Sequence, residues 1–171
     1  MTQPERDPAG FAVRIEQYFE RCRVKGHRPD TLDRAAYSLR KFSAWCEERG
    51  IFRPSEVTRP ILERYQRYLF HSINPRTDRP IGMATQSTYL TTLRSFFRFL
   101  TRQHLVLYNP AADIEIPRRD KRLPRNILTA EEVDRFVIQP DLNTPAGLRD
   151  RAILETLYST ALRRMEICNL K

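Results

Sequence analysis

Apolar residues recur at helical spacing in four successive stretches of the first 110 residues, and nowhere in that span do they alternate as a strand requires. That pattern restricts the chain to helical architectures. Phe11, Ile15, Tyr18, Phe19 and Cys22 mark one face of a helix expected from Ala9 to Lys25, closed by Gly26. A second helix is expected to start at Asp30 or Thr31, both good N-caps, and to end at Gly50. Leu32, Ala35, Leu39, Phe42 and Cys46 form its inner face. A third follows Thr58, with Pro60 in its first turn where the missing N–H is harmless; Leu62, Tyr65, Tyr68 and Leu69 are its apolar side. Residues 73–82 carry turn chemistry alone and read as a loop. A fourth, long helix is expected from about Thr85 to about Gln103 on a stripe of Leu90, Leu93, Phe97 and Leu100. Four amphipathic helices with short connections predict an all-α fold that begins with a four-helix bundle.

Beyond the bundle, Tyr108–Asn126 cannot continue a helix, because three prolines interrupt it. Arg118, Arg119, Lys121, Arg122 and Arg125 crowd into the same stretch. The expected organisation is a mobile lead-in over 1–9, a helical domain over 10–107, a basic linker over 108–127 and the opening of a second domain over 128–171. In that last part Thr129 and Glu132 predict a capping box for a short helix to Ile138. Thr144 with Pro145 behind it predicts the start of another helix, reaching Tyr158.

Charge narrows the choice of partner. The chain carries a formal net charge of +9, with 30 Lys and Arg against 21 Asp and Glu. Residues 1–115 hold 19 basic and 13 acidic residues, residues 116–127 hold 5 and 1, and residues 128–171 hold 6 and 7. The excess therefore lies in the bundle and the connector, and no acid occurs between Asp78 and Asp113. Such a distribution points to a polyanion, of which nucleic acid is the commonest soluble example.

On the fourth helix Ser87, Thr91, Arg94, Arg98 and Arg102 are spaced to share one face opposite the leucine–phenylalanine stripe. Hydroxyls and guanidiniums together suit phosphates and base edges, and a face meant only for water would mix signs. Arg34, Ser38 and Lys41 form a weaker version on the second helix, where Asp33 intervenes. For that face DNA contact and simple solvation stand level. The linker cations fit either a flexible tether or a strap across a phosphate backbone.

The final stretch, Leu157–Lys171, carries the most specific signal. Thr160, Leu162, Arg163, Glu166, Ile167 and Leu170 match the pattern A-T-G-L-R-x-x-E-L-x-x-L, with isoleucine replacing one leucine. This motif resembles that of the tyrosine-type site-specific recombinases, the Xer and phage-integrase family. Further matches are Thr31-Leu32, Tyr37, Leu39, Phe42 and Trp45 in the bundle, Asn109-Pro110-Ala111, Ile114, Pro117 and Leu123-Pro124 in the linker, and the run Arg149–Leu154. The resemblance implies a SAM-like core-binding bundle, a linker and the first helices of an incomplete catalytic domain. It also implies double-stranded DNA as substrate, a tetramer of recombinase protomers on two sites, and Arg163 as the first catalytic arginine. Without the motif, Arg163 three residues before Glu166 would read as a surface ion pair. Where the family has glycine before Leu-Arg, this chain has Ala161. If that position needs a positive φ, alanine costs ~1 kcal/mol.

Other chemistries find little support. Cys22, Cys46 and Cys168 show no ligand spacing and read as buried small hydrophobes. His27, His71 and His104 are scattered, no glycine-rich phosphate loop or carboxylate cluster occurs, and neither metal nor cofactor is expected. None of the seven tyrosines sits in a nucleophile context, so the attacking residue of the family is expected beyond residue 171 and these residues alone are expected to be inactive. The N-terminus lacks a signal-peptide core and no run is long enough to span a membrane, which predicts a cytoplasmic protein. Two rival readings remain: a truncated, non-catalytic DNA-binding regulator, and a helical protein-interaction domain for acidic partners.

Overall fold

The computed structural model describes residues 7–75, 77–117 and 127–170. The chain divides into two compact units, Met1–Lys121 and Arg122–Lys171. The first contains α1 (Phe11–Val24), α2 (Pro29–Glu47), α3 (Arg59–His71) and α4 (Met83–Arg102). Each sits where the apolar periodicity placed it, within a few residues.

α4 is the hub. It packs against α1, α2 and α3, and nine of its twenty residues are buried. An aromatic cluster fills the space between them. Phe42 meets Tyr65 at 4.9 Å, Phe11 at 5.8 Å and Phe97 at 6.3 Å between ring centroids, all edge to face. Such pairs add ~0.5–1.5 kcal/mol each to the area they bury.

The helix ends show where local rules were overridden. α2 begins at Pro29 rather than at Asp30 or Thr31, because proline's fixed φ suits the first helical position and moves the cap to Arg28. Gly26 and Gly50, both at φ 72°, close α1 and α2 in the left-handed conformation that glycine adopts without strain. The loop expected over 73–82 contains a short antiparallel ribbon, β1 (Ile73–Asn74) with β2 (Arg79–Pro80), in which Ile73 faces Pro80. Two residues per strand leave no alternation to read.

Part of the stretch expected as linker belongs to the bundle. Ala111 and Ile114 are 0% and 5% exposed and join its core. Arg94 Nε donates to the Ala111 carbonyl at 3.1 Å and its Nη2 to that of Ile114, while Gln66 Nε2 donates to the Glu115 carbonyl at 3.0 Å. The prolines stop a helix here, but they do not stop the segment from packing.

The second unit comprises α5 (Ala130–Val137), α6 (Pro145–Thr160) and α7 (Arg164–Cys168). Thr129 and Glu132 form the expected capping box, with Thr129 N–H donating to Glu132 Oε2 at 2.8 Å and Glu132 N–H to Thr129 Oγ1 at 3.3 Å. Thr144 Oγ1 accepts from Gly147 N–H at 3.0 Å and caps α6. Gly147 has no room for a side chain, since a Cβ there would lie 1.9 Å from the Asp141 carbonyl oxygen. Among the described residues no helix is long and apolar enough to cross a membrane.

Candidate nucleic-acid interface

Three of the five positions expected on the α4 face are exposed, and the other two give way to their neighbours. Ser87 is buried at 6% exposure, and Arg94 is half-buried with its guanidinium committed to the Ala111 and Ile114 carbonyls. Thr91, Arg98 and Arg102 do face solvent, and Thr88 and Ser95 share their stripe in place of Ser87 and Arg94. The positions 88, 91, 95, 98 and 102 alternate steps of three and four, as one helical face requires. The returning segment after α4 meets the Arg94 side, and it is invisible to a pattern read along α4 alone.

α2 packs beside the N-terminal half of this stripe. Arg34 is exposed, and Lys41 lies half-buried with Nζ 5.5 Å from the centre of the Tyr89 ring. Burial pushes the Lys41 ammonium below its ordinary pKa. Ser38, expected on the same face, is buried at 2% exposure and donates its hydroxyl to the Arg34 carbonyl at 2.9 Å. Its position between α2 and α4 makes it a packing residue. Between the helices a groove of ≈ 540 Å³ is lined by Asp33, Arg34, Tyr37, Thr85, Thr88 and Tyr89, among others. The Tyr37 and Tyr89 rings lie 6.3 Å apart, and Tyr37 is 56% exposed. This groove offers one guanidinium, hydroxyls, one carboxylate and an aromatic surface side by side, which is the mixture that base edges and sugars engage.

Among the described residues Arg34, Arg98 and Arg102 have no carboxylate partner. At the far end of α4, Arg98 and Arg102 are joined by Arg21 of α1 and its C-cap Lys25 around a second groove. Sequence reasoning missed Thr88, Ser95, Arg21 and Lys25. The four-residue spacing of Arg21 and Lys25 was a signal that they share a face, but not which helix they would meet. Arg118, Arg119, Lys121, Arg122 and Arg125 lie outside the described residues.

In the second unit Arg163 stands between two helices. α6 ends at Thr160, Ala161 adopts φ 52° and ψ 27°, and α7 begins at Arg164. Alanine thus holds the left-handed conformation for which glycine is suited, at a cost of ~1 kcal/mol. The resulting corner leaves the Arg163 side chain 86% exposed, with Nη1 donating to Glu166 Oε1 at 3.1 Å. Glu166 Oε2 also accepts from the Arg163 N–H at 2.8 Å, capping α7. Glu166 therefore fixes the corner and carries the nearest opposite charge. Cys168, expected to be buried, is exposed because α7 has no neighbour over that side among the described residues; Cys22 and Cys46 are buried as expected. No group of three or more metal-ligating side chains occurs among the described residues.

Residues 11–116 match the phage integrase SAM-like domain. The chain is 46% identical over 156 residues to tyrosine recombinase XerC 2 of Ralstonia nicotianae, covering 91% of this chain and 45% of that protein. It is 33% identical over 134 residues to tyrosine recombinase XerC of Bacillus licheniformis, covering 78% of this chain and 41% of that one. The chain thus spans just under half the length of these curated relatives. Its fold is similar to the N-terminal domain of a phage integrase/site-specific recombinase from Haloarcula marismortui, with TM-score 0.55 and 21% identity, covering 63% of this chain and 96% of that structure.

Proposed function

The chain belongs to the tyrosine recombinases through its phage-integrase SAM-like domain, and from that premise we propose that residues 11–116 bind duplex DNA for site-specific strand exchange. One observation carries the reading. The solvent-facing stripe of α4 presents hydroxyls and then guanidiniums in a stretch of 34 residues, 79–112, that contains no acid. Arg34 and Lys41 extend it from α2, so the interface draws on Arg34, Lys41, Thr88, Thr91, Ser95, Arg98 and Arg102. Ser38, Ser87 and Arg94 support the bundle and are left out of it. Arg118, Arg119, Lys121, Arg122 and Arg125 would supply further phosphate contacts in sequence beyond the bundle.

The second unit opens the catalytic domain in this reading, with Arg163 as its first phosphate ligand. An exposed, planar, permanently charged fork suits the non-bridging oxygens of a scissile phosphate as negative charge gathers there. In a recombinase of the relatives' full length, a tyrosine beyond residue 171 would attack the phosphodiester. It would form a 3′-phosphotyrosyl link and release a 5′-hydroxyl, within a tetramer on two DNA sites. Binding of this chain to duplex DNA, titrated with salt, tests the reading. The logarithm of the association constant should fall linearly with the logarithm of salt concentration, by ~0.9 for each phosphate engaged. Absence of binding at low salt, or binding indifferent to salt, overturns it.

A further inference from the structure

Positive charge is concentrated at one end of α4 in a way the α2–α4 groove does not explain. Between α1 and α4 lies a groove of ≈ 230 Å³ to which Arg21, Lys25, His27, Ser95, Arg98 and Arg102 contribute, and among the described residues no carboxylate lines it. The nearest acid in sequence, Glu20 of α1, is paired with Arg23 at 3.2 Å and lines the adjoining groove that Arg21 and Lys25 also border. We infer that this groove seats a backbone phosphate of the DNA, with Arg21 of α1 and its C-cap Lys25 acting opposite Arg98 and Arg102 of α4; the inference rests on the DNA-binding reading above.

The chemistry of the lining separates this groove from its neighbour. Guanidinium and ammonium groups are donors only, so they match phosphate oxygens and offer no acceptor to the amino group of adenine or cytosine. The α2–α4 groove, in contrast, includes the Asp33 carboxylate and the Tyr37 ring. Arg21 is held in place, its guanidinium carbon 5.6 Å from the centre of the Phe99 ring. Ser95 accepts the Tyr18 hydroxyl proton at 3.0 Å, which leaves its own O–H to donate. Four like charges gathered around one groove repel one another until an anion enters. A phosphate held there would fix the position of the duplex on the bundle, while α2 and the first half of α4 met the bases.

The test compares two double variants of the same charge: Arg21→Gln with Lys25→Gln in the groove, and Arg64→Gln with Arg67→Gln on the exposed side of α3. Binding of the 171-residue chain is measured on several unrelated duplexes across a salt series. The groove variant should weaken binding equally on every duplex and lower the salt slope by ~0.9 for each phosphate the groove no longer holds, with a much smaller change in the α3 variant. Lys25→Gln alone, at an exposed site, serves if removing the Arg21 guanidinium from the Phe99 ring perturbs folding. If wild type binds and the two double variants behave alike, the groove inference fails while the DNA reading stands. If wild type does not bind, the reading itself fails. Weakening confined to one duplex sequence would make the groove a base reader and overturn the phosphate assignment.

Discussion

The bundle and the C-terminal unit are both built of amphipathic helices, yet they are held together by different means. α4 buries nine of its twenty residues, whereas α6, four residues shorter, buries only Gly147. Leu148, Ile153 and Tyr158 of α6 remain 56%, 39% and 57% exposed, while Phe42, Tyr65, Phe96 and Phe97 of the bundle are wholly buried. The second unit relies instead on its caps, at Thr129 with Glu132, at Thr144 and at Glu166. Apolar periodicity specifies which face of a helix can enter a core. Whether a core forms depends on what lies opposite.

The largest expected effect tests that contrast directly. Phe97→Ala should destabilise the bundle by ~3–5 kcal/mol, since it empties a fully enclosed site. Tyr158→Ala should change stability by no more than about 0.5 kcal/mol, as an exposed substitution away from caps does. Chemical denaturation followed by circular dichroism measures both. Equal losses would mean that α6 is packed far more tightly than its exposure indicates.

Arg163 sharpens the comparison on the functional side. In a chain extended through a full catalytic domain, Arg163→Ala should slow DNA cleavage by ~10²–10³, as does the loss of one oriented donor to developing charge. Thermal stability should barely move, because an exposed Arg–Glu pair contributes only ~0.2–1 kcal/mol. Arg164→Ala, one residue off the motif, is the control. Cleavage abolished in Arg164→Ala but kept in Arg163→Ala would shift the assignment by one residue.

Arg94 is the converse case, a cation that the bundle uses for itself. Arg94→Gln cannot span both the Ala111 and Ile114 carbonyls and should cost ~1.5–3 kcal/mol of stability, the range for hydrogen bonds from charged donors. The folded fraction should bind DNA with unchanged affinity. A variant of native stability that binds DNA weakly would return Arg94 to the interface.

The smallest effect belongs to the corner before Arg163. Ala161→Gly removes the left-handed strain at φ 52° and should stabilise the second unit by ~1 kcal/mol. Hydrogen exchange at α6 and α7 reads that change locally. Faster exchange would show that alanine's packing outweighs its backbone strain.

Much of this molecule follows from neighbouring residues alone. The four bundle helices, the box at Thr129 and Glu132, the cap at Thr144 and the left-handed position before Leu162-Arg163 all depend on interactions within a few positions of the chain. Such interactions leave a direct trace in the order of residues. So did the family, because its motif around Arg163 is contiguous and its bundle pattern follows helix periodicity.

What the sequence by itself could not determine is the side of each helix that its neighbours would claim. Ser38 and Ser87 look like solvent-facing hydroxyls until α2 and α4 pack, and Arg94 looks like a DNA contact until residues 111–114 fold back beneath its guanidinium. Arg21 and Lys25 belong to the end of α1 and its cap in sequence but to the α4 groove in space. An apolar stripe sets the centre of a buried arc, and its width is set by how many elements close around it. α4 is enclosed by three helices and a returning segment, so its buried arc widens past Ser87 and Arg94 and moves the free face to Thr88, Thr91, Ser95, Arg98 and Arg102. Local order therefore decided which helices form and which chemistry they carry, while tertiary packing decided which of those groups remain available to a partner.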